Sequence, residues 1–342
     1  MITLLIAGLL YGAYLLVPGW LVVSLMAPTR NRFLLSYAIS LMILTGTLTL
    51  ALLLNYGPFY WLILIHIVIL FFALTLMYRW QQSGLSVSVR TSTRCLTTPH
   101  CMGALILLGT FSLYHLIVGP FTEIPSDFWK HLARVNNIFL DLEPIATWQF
   151  SGAKPLAGQE NPIYFTHAVI AHILGTQPLD LILPVTWAIG IIFLLGFFFF
   201  TYDLLGEFTL NRNIRAAGGI LAALLTALAF GTATFSYVRY YGYFPTIFSF
   251  PLVLVSVALL TERLKQEQTL KLWQWCLIPL LLLTMWAIDR QEAYFSVVLL
   301  SIIAILSGVR SYWSPAQYKS HELTVRRAIF WATVAVCAVS ST

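Results

Sequence analysis

The side chains best suited to chemistry lie in a short polar stretch between two long apolar runs. Glu123, Asp127, His131 and Arg134 follow one another there, in the densest group of potentially reactive residues in the chain. Carboxylates and imidazoles exchange protons, and a guanidinium binds phosphate oxygens in pairs. This combination beside apolar sequence suits a substrate that carries a phosphate and a lipid tail.

Two shorter connections carry most of the remaining polar chemistry. The first, 237–245, contains Arg239 followed by Tyr240 and Tyr241, and the second is the run Asp289-Arg290-Gln291-Glu292. Ionisable groups at the ends of apolar helices are costly unless they are paired or used. We therefore interpret both connections as substrate-binding segments that act together with Arg134.

Each candidate also has a purely structural interpretation. Asp127 complements the dipole of a helix that starts at Ser126, and with His131 one turn later it could form a surface ion pair. Glu123 could be a solvated loop acid. Arg239 could anchor an aromatic belt, and 289–292 could be an internal salt-bridge cluster. His167 and His172 fit packing roles, and His66 and His115 fit hydrogen bonds between helices.

The composition places these residues in a membrane protein. Of 342 residues, 59% are hydrophobic and only 9% are charged, against roughly 25% charged in soluble domains. A helix spans the hydrocarbon core with about 20 apolar residues. This rule predicts an all-α polytopic protein of nine or ten transmembrane helices, with spans near 2–26, 34–55, 58–79, 103–121, 179–201, 215–236, 244–261, 272–288 and 293–309, and a tenth from about 328. That last run is short, which favours a chain truncated at its C-terminus.

The basic residues predict the orientation. With the N-terminus outside, 14 of the 19 Lys and Arg residues fall in cytoplasmic segments, as the positive-inside rule requires. The segment 121–178 is then a large non-cytoplasmic loop. It contains an amphipathic helix of about 15 residues from Ser126 and a short apolar helix over 163–174. A Ser/Thr-rich cytoplasmic linker, 80–102, separates a three-helix N-terminal unit, 1–102, from a core, 103–342.

The order of these features resembles the GT-C superfamily of integral-membrane glycosyltransferases. A spanning helix, 103–121, precedes an external loop with early acids, Glu123 and Asp127, and then His131 and an amphipathic helix. A Gly/Pro-rich piece and Asn161-Pro162-Ile-Tyr164 lead into a short helix and the next span. The resemblance covers about residues 103–309. It implies an inverting transfer of a sugar from a polyprenyl-phosphate donor to a glycan, lipid or protein acceptor on the non-cytoplasmic face.

The resemblance also implies roles for individual residues. Asp127 is the first candidate for the general base and Glu123 the second, while Arg239 and Arg290 stabilise the phosphate that leaves. His131 orients the base or contacts that phosphate. Glu123 and Asp127 together could hold Mg²⁺ or Mn²⁺, although no ligand spacing demands a metal. Short loops without N-glycosylation sequons favour a bacterial inner membrane.

Other functions remain compatible with the sequence. A multispan transporter or flippase would place ionisable residues near the bilayer midplane, whereas here they lie at the outer rim. A polysaccharide polymerase or ligase would use nearly the same chemistry, and a non-catalytic membrane subunit would use the loop for partner binding.

Cys95, His100 and Cys101 lie close enough in sequence to bind zinc, but a fourth ligand at standard spacing is missing.

Overall fold

The computed structural model describes residues 2–25, 32–54, 58–82, 98–118, 126–142, 161–229, 245–265 and 272–313. These ranges contain eleven α-helices and no strand. In chain order, α1 to α11 are Ile2–Leu25, Arg32–Leu53, Pro58–Gln82, Pro99–Val118, Ser126–Leu142, Pro162–Leu174, Ile182–Leu205, Arg212–Ala229, Pro245–Lys265, Leu272–Ile288 and Arg290–Trp313. A 3₁₀ turn, Pro178–Leu181, precedes α7.

The helices confirm an all-α polytopic membrane protein. Four described segments are long and apolar enough to cross a bilayer, namely Leu5–Leu25, Arg32–Ala51, Pro99–Val118 and Pro178–Leu205. Shorter apolar helical segments are Ile63–Tyr78, Pro162–Leu174, Pro245–Thr261 and Cys276–Ile288. Within the described residues, each predicted span up to residue 309 overlaps a helix. The predicted tenth span lies outside the described residues.

The close packing of α1 on α2 depends on a glycine. A Cβ on Gly19 would lie only 1.8 Å from the carbonyl oxygen of Ser36. The amide of Gly19 donates a hydrogen bond of 2.8 Å to Oγ of Ser40. Small residues let helix backbones approach closely in membranes, where van der Waals packing replaces the hydrophobic effect as the main driving force.

Polar side chains inside the bundle pair between helices. His66 of α3 and the hydroxyl of Tyr14 in α1 are 2.9 Å apart, and His115 of α4 lies 3.3 Å from the hydroxyl of Thr186 in α7. The predicted interhelical roles of His66 and His115 are therefore confirmed. The first three helices also contact later ones, since the hydroxyl of Tyr37 donates to the carbonyl of Phe248 in α9 at 2.6 Å.

The two helices of the predicted outer loop are present, and they differ in environment. Helix α5 is 17 residues long and amphipathic, as predicted. Leu132 and Val135 are buried on one face, whereas Lys130 is exposed. Helix α6 is buried along Pro162 to Ala171.

The burial of α6 results from its position among the membrane helices. The ring of Phe165 packs edge-on against Trp61 of α3, and that of His167 against Tyr11 of α1. His167 donates from Nε2 to the carbonyl of Pro178 at 2.8 Å. His172 contacts the ring of Phe139 in α5. These contacts give both α6 histidines the packing role described above.

Candidate functional site

A cleft of about 910 Å³ lies at one end of the helix bundle. Five parts of the chain meet there: the end of α2, the exposed face of α5, the start of α6, the start of α9 and the junction of α10 with α11. The lining residues are Thr45, Thr49, Leu53, Lys130, His131, Arg134, Asn161, Tyr164, Pro245, Thr246, Trp286, Ala287, Ile288, Asp289, Arg290 and Gln291. The cleft thus joins the predicted outer loop to the predicted 289–292 connection.

Helix α5 supplies one cationic wall of the cleft. Arg134 follows Lys130 and His131 by about one helical turn, and all three side chains line the cleft. Leu132 and Val135 on the opposite face are buried against the rest of the protein and fix the rotation of the helix about its axis. The amphipathic pattern that predicts α5 also determines which side chains it presents to the cleft.

Tyr164 lies behind this wall and contacts two of its members. Its hydroxyl is hydrogen-bonded to Nδ1 of His131. The Arg134 guanidinium carbon lies 6.0 Å from the centre of the Tyr164 ring. Burial raises the pKa of Tyr164, although Arg134 acts in the opposite direction. Apart from its place in the Asn161-Pro162-Ile-Tyr164 segment, no sequence pattern marks Tyr164 as a site residue.

Asn161 attaches the start of α6 to the end of α10. Its Oδ1 accepts the amide hydrogen of Ile163 at 3.0 Å, which makes Asn161 the N-cap of α6. Its Nδ2 donates to the carbonyl of Ile288 at 2.9 Å. Ile288 is the last residue of α10 and directly precedes Asp289. One side chain therefore sets the position of Tyr164 relative to the acidic side of the cleft.

Asp289 is a well-anchored carboxylate at the opposite side. Its Oδ2 accepts a 2.7 Å hydrogen bond from the hydroxyl of Thr246, and its Oδ1 accepts the amide of Gln291 at 3.0 Å. The second bond has the geometry of an N-cap, so Asp289 also stabilises the start of α11. The next residue, Arg290, places its guanidinium carbon 5.1 Å from the ring centre of Trp286.

Glu292 lies beside the cleft and does not line it. Burial, followed by the negative charge of Asp289, raises the pKa of Glu292 to about 7. The described residues do not support the alternative interpretation of 289–292 as an internal salt-bridge cluster: Asp289 is hydrogen-bonded to Thr246 and Gln291, and the guanidinium of Arg290 lies near the ring of Trp286. A carboxyl group that keeps its proton near neutral pH binds a cation weakly, because it is uncharged.

The structure brings together four of the predicted site residues: His131, Arg134, Asp289 and Arg290. Asp127 lies in α5 one turn before His131, on the same face, but its side chain is outside the described part of the structure. The other predicted residues, Glu123, Arg239, Tyr240 and Tyr241, and the cysteine Cys95 of the possible zinc group, also lie outside the described residues. Within the described residues no three His, Cys, Asp or Glu side chains are grouped to hold a metal.

The cleft carries an excess of positive charge, because Lys130, Arg134 and Arg290 face a single carboxylate, Asp289, among its lining residues. Such a cleft suits an anion with oxygen atoms on several sides. The chain matches no family model, no curated protein and no solved structure. The chemistry and geometry of the cleft are therefore the basis for assigning a function.

Proposed function

We propose that this protein is a membrane glycosyltransferase that moves a sugar from a polyprenyl-phosphate donor to an acceptor hydroxyl in the cleft. The observation that carries the proposal is the convergence of Lys130, Arg134 and Arg290 on one cavity at the end of a membrane bundle. A leaving phosphate gains negative charge as its bond to the sugar breaks, and fixed cations stabilise that charge.

The reaction needs a base as well as cations. In the proposed step the acceptor oxygen attacks the anomeric carbon and transfers its proton to a carboxylate. The bond between the anomeric carbon and the phosphate oxygen breaks, and the electron pair leaves with the phosphate. Asp127 is the proposed base because its position on α5 is one turn from His131, on the face that meets the cleft. Attack opposite the leaving group inverts the anomeric centre.

Asp289 fits an orienting role better than the role of base. Both of its oxygens already accept hydrogen bonds, from Thr246 and from the amide of Gln291. A base must approach the acceptor hydroxyl to within hydrogen-bond reach, and these two bonds hold the carboxylate in place. We propose that Asp289 instead binds hydroxyl groups of the sugar and keeps Arg290 next to the phosphate.

A lipid-linked donor is favoured over a soluble one by the surroundings of the cleft. Leu53 lines it with a side chain that is 76% exposed, and Trp129 of α5 is 50% exposed. Large apolar side chains at the end of a membrane bundle suit contact with acyl or prenyl chains. A donor held in the bilayer by its tail could therefore bring its phosphate to the cationic wall.

The test is a cell-surface glycan profile from a knockout complemented with wild type, Asp127→Asn or Asp180→Asn. Asp180 is the matched control because it is an exposed acid in the 3₁₀ turn before α7 and does not line the cleft. We expect wild type and Asp180→Asn to restore a missing sugar, and Asp127→Asn to fail at an equal membrane level.

Two results would count against the proposal in different ways. Restoration by Asp127→Asn would remove the base assignment while leaving the transferase intact. An unchanged profile in the knockout itself would instead favour a transporter or flippase that uses the same cationic cleft.

Substitution of Arg290 by Ala should weaken the use of the donor more than the use of the acceptor. A reconstituted assay with varied donor concentration measures this difference.

A further inference from the structure

Helix α2 contributes a stripe of three side chains to the cleft. Thr45, Thr49 and Leu53 follow one another at intervals of four residues and therefore lie on one face of the helix. At a rise of about 1.5 Å per residue, this stripe is about 12 Å long. Leu53 is the last residue of α2, so Thr45 lies about two helical turns inside the bundle from that end.

The hydroxyl of Thr45 differs from the other side-chain hydroxyls of α2 that belong to serine or threonine. Each of those takes part in a hydrogen bond with the backbone, namely Ser36, Ser40, Thr47 and Thr49. By contrast, Oγ1 of Thr45 is buried and has no hydrogen-bond partner among the described residues. Buried polar groups are almost always hydrogen-bonded, and an exception calls for an explanation.

Thr45 can present this hydroxyl to a ligand. The residue is partly exposed and lines the cleft, although its oxygen atom is turned away from solvent. Threonine on a helix has two common χ1 rotamers, so rotation about the Cα–Cβ bond can bring the oxygen to the surface of the cleft. A hydroxyl both donates and accepts. It therefore suits a partner with the same capacity, such as another hydroxyl.

The distribution of charge in the cleft indicates which part of the proposed donor would reach Thr45. The charged lining residues come from α5 and from the junction of α10 with α11, namely Lys130, Arg134, Asp289 and Arg290. The residues from α2 are uncharged. A phosphate binds at the cations, and a prenyl chain has no atom that could bond to a hydroxyl. The sugar is the uncharged part of the donor that carries hydroxyl groups.

We propose that Thr45 is a ligand-binding residue whose Oγ1 forms a hydrogen bond with a hydroxyl group of the donor sugar. This inference rests on the proposed glycosyltransferase function and adds a sugar-binding residue to it. It also makes α2, a helix of the predicted N-terminal unit, part of the substrate site. A site that buries a hydroxyl for this purpose discriminates against a ligand that leaves the hydroxyl unpaired.

The first measurement needs no ligand. Thr45→Val keeps the shape of the side chain and removes the unpaired oxygen, so we expect the thermal unfolding midpoint in detergent to stay equal to that of wild type or to rise. Thr47→Val is the contrasting variant, because Oγ1 of Thr47 accepts a 3.1 Å hydrogen bond from Nε1 of the buried Trp61. Its midpoint should fall. An equal fall in Thr45→Val would show that the Thr45 hydroxyl is bonded within the protein and would overturn the proposal.

The second measurement compares ligands with and without a sugar. The probes are farnesyl phosphate and its glucose, mannose and galactose derivatives, and they are bound to the full chain in nanodiscs. The derivative that binds wild type most tightly is then used with the variants. We expect Thr45→Val to raise its dissociation constant about fivefold, as for one lost hydrogen bond between neutral groups. The dissociation constant of farnesyl phosphate should stay unchanged.

Thr226→Val is the matched control for binding. Thr226 is also a partly buried threonine within a helix, α8, and it does not line the cleft. Its hydroxyl donates to the carbonyl of Ala222 at 2.8 Å, so it is already satisfied within the protein. We expect this variant to bind both kinds of probe as wild type does.

The outcomes separate this inference from the function on which it rests. If wild type binds neither kind of probe, the proposed donor is wrong, and a donor sugar is not the partner of Thr45. If wild type and Thr45→Val bind the sugar derivative equally well, the donor class survives and the role of Thr45 is wrong. Equal weakening of both kinds of probe would place the hydroxyl at the phosphate. A wild type that binds no sugar derivative more tightly than farnesyl phosphate would have no sugar-binding residue of this kind. Either of these last two results would also overturn the proposal.

Discussion

At the scale of single residues, the two carboxyls at the start of α11 have different environments. Asp289 accepts hydrogen bonds from Thr246 and Gln291, whereas Glu292 is half-buried and has Asp289 as a near neighbour of like charge. Like charges close together favour ionisation of only one of them. The Glu292 carboxyl therefore keeps its proton to a higher pH than an ordinary glutamate does, because its pKa is raised to about 7.

This difference predicts a pH dependence of stability. The pKa of Glu292 is raised from 4.5 to about 7, so the folded protein binds this proton more tightly than the unfolded chain does. The stabilising effect is complete below about pH 4.5 and is lost as the pH rises towards 7. We expect Glu292→Gln to flatten the dependence of stability on pH in this range. The unfolding midpoint of the variant should then exceed that of wild type above about pH 7.

Thermal unfolding in detergent at several pH values between about 4.5 and 8 measures the effect. Glu292→Gln removes the charge and keeps the shape of the side chain, so a difference between the two profiles reports the titration. Parallel profiles for the two proteins would show that Glu292 has an ordinary pKa.

At the scale of elements, α6 depends on Asn161 for two separate contacts. The side chain caps the helix through Ile163 and connects it to α10 through Ile288. Asn161→Ser should keep the cap and lose the connection, whereas Asn161→Ala should lose both. We expect each step to cost about 1 kcal/mol of unfolding free energy. Unfolding in mixed micelles measures both steps, and equal stability of the Ser and Ala variants would contradict the capping role.

The contact between α1 and α2 gives a second prediction at this scale. A Cβ at Gly19 would overlap the backbone of Ser36, whereas a Cβ at Gly12 of the same helix would meet nothing within 4 Å. Gly19→Ala should therefore lower the unfolding free energy by about 3 kcal/mol, as expected for overpacking. Gly12→Ala is the matched control and should leave it unchanged or slightly raised. Equal effects of the two substitutions would show that α1 and α2 are not in such close contact.

The elements also show which structural features follow from sequence patterns. Helix α5 was predictable because Leu132, Val135 and Phe139 repeat at helical spacing opposite Lys130 and Arg134. The existence of α6 was predictable for a similar reason, since an apolar run follows Asn161-Pro162. Its burial among α1 and α3 was not, because contacts such as that of Phe165 with Trp61 join distant parts of the chain. A local pattern contains no information on such partners.

The residues of the cleft, too, could be predicted from the sequence only in part. Its charged members could be chosen from the sequence because Arg134, Asp289 and Arg290 are rare ionisable groups in an apolar chain. Tyr164 could not, since tyrosine is frequent here and only its hydrogen bond to His131 and the position of Arg134 near its ring distinguish it. The side chain of the predicted base Asp127 and the whole of Arg239 lie outside the described part of the structure, so their positions remain predictions.

At the scale of the whole molecule, the distribution of basic residues connects orientation to function. Only five of the 19 Lys and Arg residues fall in segments predicted to be outside, and Lys130, Arg134 and Arg290 are three of them. All three line the cleft. Positive charge is disfavoured on that side by the positive-inside rule. Its concentration in one cavity supports the proposed binding of an anion there.

The orientation can be tested with two exposed residues at opposite ends of the bundle. Gln291 lies at the cleft, and Asn213 lies in the first turn of α8, close to Arg215. In a background without the four native cysteines, we expect a membrane-impermeant maleimide to label Gln291→Cys in intact cells. Asn213→Cys should be labelled only after permeabilisation, because Arg212 and Arg215 mark that end as cytoplasmic. The opposite labelling pattern would show that the cleft faces the cytoplasm. The substrate to test would then be a soluble nucleotide-linked sugar, because a donor on the outer face could not reach the cleft.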